Sequence, residues 1–406
     1  MDDPSPPRRW SGVLGFAPLV VGCAVAALLL SALASSGIRD GGDLGLGANT
    51  VAMFESVDGD PVHCQDLDPD PADRNVDLCL DAAVARSSSS YALWLGNSQV
   101  HGVNRPEEGD STAAQMLHRA FARRGVDLVT LSQPNANLQE HYVVFEYVRD
   151  VLPRLDYLVL PVVFDDTRED GVRDRLGAAF ARPGVREALA ESELGNGLVE
   201  AYGATSLVVG GAGEGATPSA TDADFAALDE TVQETSETWL NDRLSDEVDL
   251  WERRPGMRAA LFEYLYLARN SALGIDPSTV RPLIPGPYAA NVSALEALLE
   301  SAARGGVEVL VYVAPIRNDT DIPYRPAEYA RFKEEVAALA EAHGAEYVNL
   351  EGIVPGPAWG MKASTNLSGK PEYDFMHFTA EGHGLLADAL WAEMAPVLND
   401  DASVAL

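Results

Sequence analysis

The chain has 406 residues, 47% of them hydrophobic, enough to bury one large core or two modest ones. Its 62 acidic residues outnumber 29 basic ones, for a formal charge of −33, and no Lys/Arg cluster interrupts that field. Such a surface repels nucleic acid and excludes it as a partner. The acidic residues are spread through Asp66–Asp77, Asp165–Asp174 and Asp222–Asp249, which reads as a solvated surface.

From Val13 to Ala34 no charged residue occurs across 22 positions. At about 1.5 Å per residue, such a helix covers the roughly 30 Å hydrocarbon core of a bilayer. Arg8 and Arg9 precede it, which keeps residues 1–12 in the cytoplasm and puts the chain from Ser36 onward outside it. The expectation is a single-pass cell-membrane protein anchored by residues 13–35. Two other readings stand beside the anchor. Val20-Val21-Gly22-Cys23 is similar to a lipobox, and Ala32-Leu33-Ala34 is an A-x-A-like cleavage site. Residues 36–60, with Gly37, Gly41, Gly42, Gly45 and Gly47, read as a linker to an extracytoplasmic domain over 61–406. Cys64 and Cys79 form an even pair in that domain, which suggests a disulfide in an oxidising compartment. It would close a loop of roughly 15 residues, worth about 3 kcal/mol; two free buried thiols are the alternative.

Regular alternation then begins. Apolar runs at Tyr91–Leu95, Val126–Leu131, Tyr157–Phe164, Val307–Ala314 and Glu346–Asn349 read as strands. Helical patterns at Thr112–Arg123, Leu138–Leu152, Ser293–Arg304, Ala327–Ala342 and Ala380–Val397 lie between and after them. Strands that are apolar runs, each separated by a helix, imply an α/β fold with a parallel sheet covered on both faces. The alternation stops at about 165–287. Helical stretches at Val172–Phe180, Thr221–Leu244 and Met257–Ser271, with a small-residue stretch at Ala204–Thr221, suggest a largely helical insertion there.

The first strand leads straight into Gly96-Asn97-Ser98, which puts a serine at the carboxyl end of a strand, where sites form in such sheets. Near the other end stands Asp374-Phe375-Met376-His377, read as a loop beyond the last strand. An aspartate three residues before a histidine can orient the ring, leaving the far nitrogen to deprotonate a serine. Ser98 is therefore the candidate nucleophile, His377 its base and Asp374 the orienter of that base. An oxyanion needs donors. The backbone N–H of Ser98 and the loop Gln133-Pro134-Asn135-Ala136-Asn137 offer them, with Asn135 and Asn137 as side-chain candidates. Arg317, after the fourth strand, has two readings: contact with a polar or anionic acceptor, or an ion pair with Asp319 or Asp321. Asp165, Asp166, Asp319 and Asp321 raise a metal alternative without a clear ligand pattern, so neither metal nor cofactor is expected. His101 lies close to Ser98 and fits substrate contact or plain loop polarity equally, whereas His118, His141 and His383 read as structural.

The serine turn, the Asn-containing loop after the next strand and the late Asp-x-x-His together resemble the SGNH (GDSL-type) hydrolase superfamily. Their order and spacing are similar to the membrane-anchored branch that includes the D-alanyl transfer protein DltD and the alginate O-acetylation proteins. The resemblance spans roughly residues 91–164 and 288–398. It implies a flavodoxin-like three-layer parallel sheet, and the roles already named for Ser98, His377 and Asp374. Pro161-Val162-Val163-Phe164-Asp165-Asp166 stands where that family usually has Gly-x-Asn-Asp, which puts Asp165 among the substrate-facing candidates. The chain departs from the pattern in its Gly-Asn-Ser, where Gly-Asp-Ser is commonest, and in lacking the glycine and asparagine of the third block. A carboxylate in that block stabilises an oxyanion only when protonated.

The expectation is a membrane-anchored extracytoplasmic serine acyltransferase or esterase. It would act on O-acyl groups, acetyl above all, of a cell-envelope polysaccharide or acylated carbohydrate. The resemblance adds a membrane-bound O-acyltransferase as donor partner. A reading from another class stands beside it: a non-catalytic envelope-assembly or carbohydrate-binding protein that keeps the fold, which the altered third block favours.

Overall fold

The computed structural model describes residues 49–209 and 254–400, apart from positions 55, 58, 66, 68–74 and 153. The expected anchor over 13–35 and the Thr221–Leu244 helix lie outside the described residues. Among the described residues, no helix is long and apolar enough to cross a membrane.

Two compact units divide the chain. The larger comprises Gly45–Thr217, Asp276–Ser364 and Gly369–Leu406. Its centre is a six-stranded sheet in the order β10-β9-β8-β5-β7-β4. The strands are β4 (His63–Cys64), β5 (Ser90–Gly96), β7 (Val126–Ser132), β8 (Leu155–Val162), β9 (Glu308–Val313) and β10 (Glu346–Asn349), and every neighbouring pair is parallel. Leaving out the edge strand β4, the chain order across the sheet is 2-1-3-4-5, the flavodoxin-like order. The winding reverses between β5 and β8, and such a switch point opens a crevice at the carboxyl ends of those two strands.

Burial on both faces explains why the strands are nearly all apolar. On β5, Tyr91, Leu93 and Leu95 join one core with helices α1 (Val76–Arg86), α4 (Leu138–Val151), α9 (Pro285–Gly305) and α10 (Pro326–Ala342). Ala92 and Trp94 point the other way, into a second core formed with α3 (Ala113–Ala122) and α11 (Ala380–Asp400). This is the period-2 alternation of a strand sandwiched between helix layers. Cys64 on β4 and Cys79 on α1 are joined by a disulfide and fully buried. It ties the edge strand to the helix layer.

Three features differ from the sequence reading. Asp374 and His377 lie not in a loop but on a strand, β12 (Glu372–Phe378), paired antiparallel with β11 (Trp359–Lys362). Two further small pairs join β1 (Thr50–Ala52) to β6 (Gly102–Asn104) and β2 (Ser56–Val57) to β3 (Asp60–Pro61). The first part of the expected insertion packs on the main core: Val172, Leu176, Phe180, Val185 and Leu189 are buried in it. The short helices α5 (Gly177–Ala181) and α6 (Pro183–Leu189) hold several of them. Described parts of the smaller unit include most of α8 (Arg254–Leu273), whose Asn270 donates to the Thr365 carbonyl at 2.8 Å.

Candidate active site

The serine turn is built by three consecutive residues. A Cβ on Gly96 would lie 2.4 Å from Val100 Cγ2, so only glycine lets the chain fold back this tightly after β5. Asn97 stays extended and caps the short helix α2 (Ser98–His101), its Oδ1 accepting from Gln99 N–H at 2.9 Å. Ser98 is the first residue of that helix and 7% exposed. The Gln99 side chain donates to the carbonyls of Pro315 at 2.8 Å and Met376 at 3.0 Å. It therefore fastens the serine helix to the strand that holds His377.

The structure brings Ser98, His377 and Asp374 together. Ser98 Oγ lies 3.0 Å from His377 Nε2, and His377 Nδ1 lies 3.0 Å from Asp374 Oδ2. The carboxylate accepts, so the ring proton belongs on Nδ1, and Nε2 is left to accept from the serine hydroxyl. Asp374 Oδ1 also accepts the N–H groups of Met376 at 2.9 Å and His377 at 3.0 Å. Burial opposes ionisation of Asp374, but the electrostatic pull of the His377 ring, the ring hydrogen bond and the two backbone donors outweigh it and hold the carboxyl below its usual range.

Gly102 and Asn104, to which the sequence gives no signal, and His383, which reads as structural, position this group. Gly102, just after α2, leaves room for the ring: a Cβ there would come within 2.6 Å of His377 Cδ2. His383 is fully buried and pins the same point, donating from Nε2 to the Gly102 carbonyl at 3.2 Å while its Nδ1 accepts from Ala113 N–H at 3.2 Å. Asn104 donates to Thr50 Oγ1 at 2.9 Å and to the Met361 carbonyl at 3.1 Å, with Asp374 Oδ2 at 3.5 Å. His101 donates to or accepts from Ser132 Oγ at 2.8 Å, which accounts for its polarity inside the fold.

The other candidates are placed elsewhere. Asn137 is not an oxyanion donor. Its side chain caps α4 in a reciprocal capping box with Glu140, and its Nδ2 donates to the Gly171 carbonyl at 2.8 Å. Asn135 is an exposed turn residue with φ 53°, a conformation asparagine tolerates. Asp165 pairs with Arg168 and Arg281, and so turns away from the serine. Arg317 resolves to the ion pair: its guanidinium holds Asp319 at 2.7 Å, donates to the Gly360 carbonyl at 2.8 Å and lies 4.1 Å over the Tyr373 ring. Among the described residues, the group close enough to share a metal ion is Glu296, Glu300 and His343. Asp165, Asp166, Asp319 and Asp321 form no such group.

The carboxyl that does reach the serine turn is Asp166. Its Oδ2 accepts from Asn97 Nδ2 at 2.7 Å, across the crevice between β5 and β8. Burial raises it to about 7, against the smaller opposing pulls of Asn97 and Arg173.

No protein-family model matches the chain, and no curated protein matches it. Among solved structures, an alpha/beta hydrolase enzyme from the metagenome of Lake Arreo, Spain, is similar at 11% identity and a TM-score of 0.34, covering 75% of this chain and 94% of that one. An acetylxylan esterase from Geobacillus stearothermophilus is similar at 12% identity and a TM-score of 0.33, covering 76% and 94%. Likeness at this level identifies no family.

Proposed function

We propose that this chain is a serine-dependent acyl-ester enzyme, membrane-tethered and extracytoplasmic, acting on O-acyl groups of a cell-envelope polysaccharide. The observation that supports the chemistry is the hydrogen-bonded series Ser98, His377 and Asp374, with both links at 3.0 Å, at the switch-point edge of a parallel sheet. Ser98 Oγ attacks the acyl carbonyl while His377 Nε2 takes its proton; Asp374 stabilises the imidazolium that forms. His377 then returns the proton to the departing sugar oxygen, leaving an acyl group on Ser98. Water or a second sugar hydroxyl, deprotonated by the same ring, attacks that ester and restores the serine. The hydroxyl as final acceptor makes the chain a transferase; water makes it an esterase.

The uncharged run before Ala34 supports the tether, which in turn favours an envelope glycan as substrate and a membrane-bound O-acyltransferase as donor. Treating the full chain with a fluorophosphonate and weighing it intact tests the serine. One adduct is expected, absent from Ser98→Ala and strongly reduced in His377→Ala. A folded protein that takes up no adduct would move the reading to a glycan-binding or assembly role.

A further inference from the structure

Asp166 is the acidic side chain hydrogen-bonded to the serine turn, and nothing in the triad uses it. Which of its oxygens is committed follows from Asn97. The Asn97 carbonyl oxygen is fixed by the Gln99 N–H at 2.9 Å, so its amide nitrogen must be the group that meets Asp166 Oδ2 at 2.7 Å. Oδ2 is therefore an acceptor, and a proton on this carboxyl belongs on Oδ1. Among the described residues no hydrogen bond reaches that second oxygen, and the residue as a whole is 8% exposed. Arg173, whose charge acts on it, is already held by Glu140 and the Pro134 carbonyl, while Glu140, Glu169 and the buried Tyr324 phenol add no positive charge.

Resting on the acyl-transfer reading above, we propose that Asp166 acts as a neutral carboxylic acid whose Oδ1–H donates to the oxyanion formed when Ser98 attacks the ester. Asp166 follows β8 and Ser98 follows β5, the two strands that flank the switch-point crevice. The proton stays on Asp166 throughout and no bond to it is made or broken. An ionised Asp166 would put a negative charge where the negative charge of the tetrahedral intermediate develops, so rate must fall as this group ionises. Its upward shift to about 7 keeps a large neutral fraction near neutral pH.

The test is the pH dependence of kcat/KM for a neutral aryl acetate, using the full-length wild type and Asp166→Asn. The asparagine amide can accept from Asn97 and donate from the other side, but it does not titrate. The wild type should lose activity above pH 7. Asp166→Asn should keep its activity there and exceed the wild type by up to about 100-fold at about pH 9, where only about 1% of a group titrating at about 7 is still neutral. Asp166→Ala should lose activity at every pH yet still take up a fluorophosphonate. An unchanged alkaline limb in Asp166→Asn overturns the proposal, as does loss of activity at all pH in a folded Asp166→Asn. Both results leave the Ser98 reading intact as long as the wild type is labelled. A wild type that is neither labelled nor active fails the Ser98 reading, and the role of Asp166 falls with it.

Discussion

Two aspartates stand next to the candidate serine, one hydrogen-bonded to His377 and the other to Asn97, and their surroundings drive them in opposite directions. Asp374 and Asp166 are buried to similar depth, at 2% and 8% exposure. Asp374 accepts two backbone N–H groups and the His377 ring, and is held ionised. Asp166 accepts one amide hydrogen from Asn97 and rises to about 7. Depth of burial therefore does not distinguish them; the number of donors and the neighbouring His377 ring do. One carboxyl can serve as an anion that orients a base, the other as an acid that donates.

The largest effect should come from removing the charge on one side only. Asp374→Asn is expected to lower kcat/KM by about 10⁴-fold, because an amide can reverse the ring tautomer and take Nε2 away from the serine. Asp166→Asn should leave activity near neutral pH within about tenfold, since the amide substitutes for the acid as donor. Steady-state kinetics of both variants on one ester would measure the contrast. Equal losses would break it and make both aspartates ordinary orienting anions.

Gly102→Ala should come next. The glycine has φ −87°, which alanine adopts without strain, so the only penalty is steric. The new methyl would meet His377 Cδ2 at 2.6 Å and the Ser98 carbonyl at 2.7 Å, pushing the ring off the serine. A displacement on the order of 1 Å costs about 10²-fold in rate. The fluorophosphonate labelling rate should fall by that amount. Unchanged labelling would mean that the ring adjusts freely and that Gly102 has no positioning role.

How much of this was legible in the sequence depended on whether a feature was long and periodic or short and conformational. The five strands and their helices were readable, because burial on both faces of β5, β7, β8 and β9 leaves runs that are mostly apolar. Ser98, His377 and Asp374 were readable as well, because their spacing fits a hydrogen-bonded relay. The edge strand β4 has two residues and shows no pattern. β12 reads Glu-Tyr-Asp-Phe-Met-His-Phe and lacks clean alternation, so it passed for a loop. Asn137 followed by Glu140 is a capping-box signature that was visible but was read as a donor loop. Between Asp165 and Asp166, adjacent in sequence, only the 3-10 turn over Asp165–Arg168 decides which carboxyl meets the arginines and which meets Asn97.

The smallest expected effect separates the two aspartates by stability rather than rate. Asp166 titrates near 3.8 in an unfolded chain and about 7 in the fold. Between those values the folded state binds more protons, so its contribution to stability falls as pH rises and is lost once pH passes the folded value. Asn removes that loss. Asp166→Asn should therefore melt a few degrees above the wild type at about pH 8, with the gap closing toward about pH 5. His63 and His383, buried and lowered to about 3 and 4, destabilise the fold on the acid side. They are present in both proteins and cancel in the difference. Asp374, with its depressed value, must show the reverse sign: its stabilisation is lost as pH falls, and Asp374→Asn should melt below the wild type at about pH 8. A gap for Asp166→Asn that widens toward acid pH would mean that Asp166 is ionised in the fold. The two carboxyls would then be alike, and the oxyanion would have to find its donors elsewhere, beginning with the backbone N–H of Ser98.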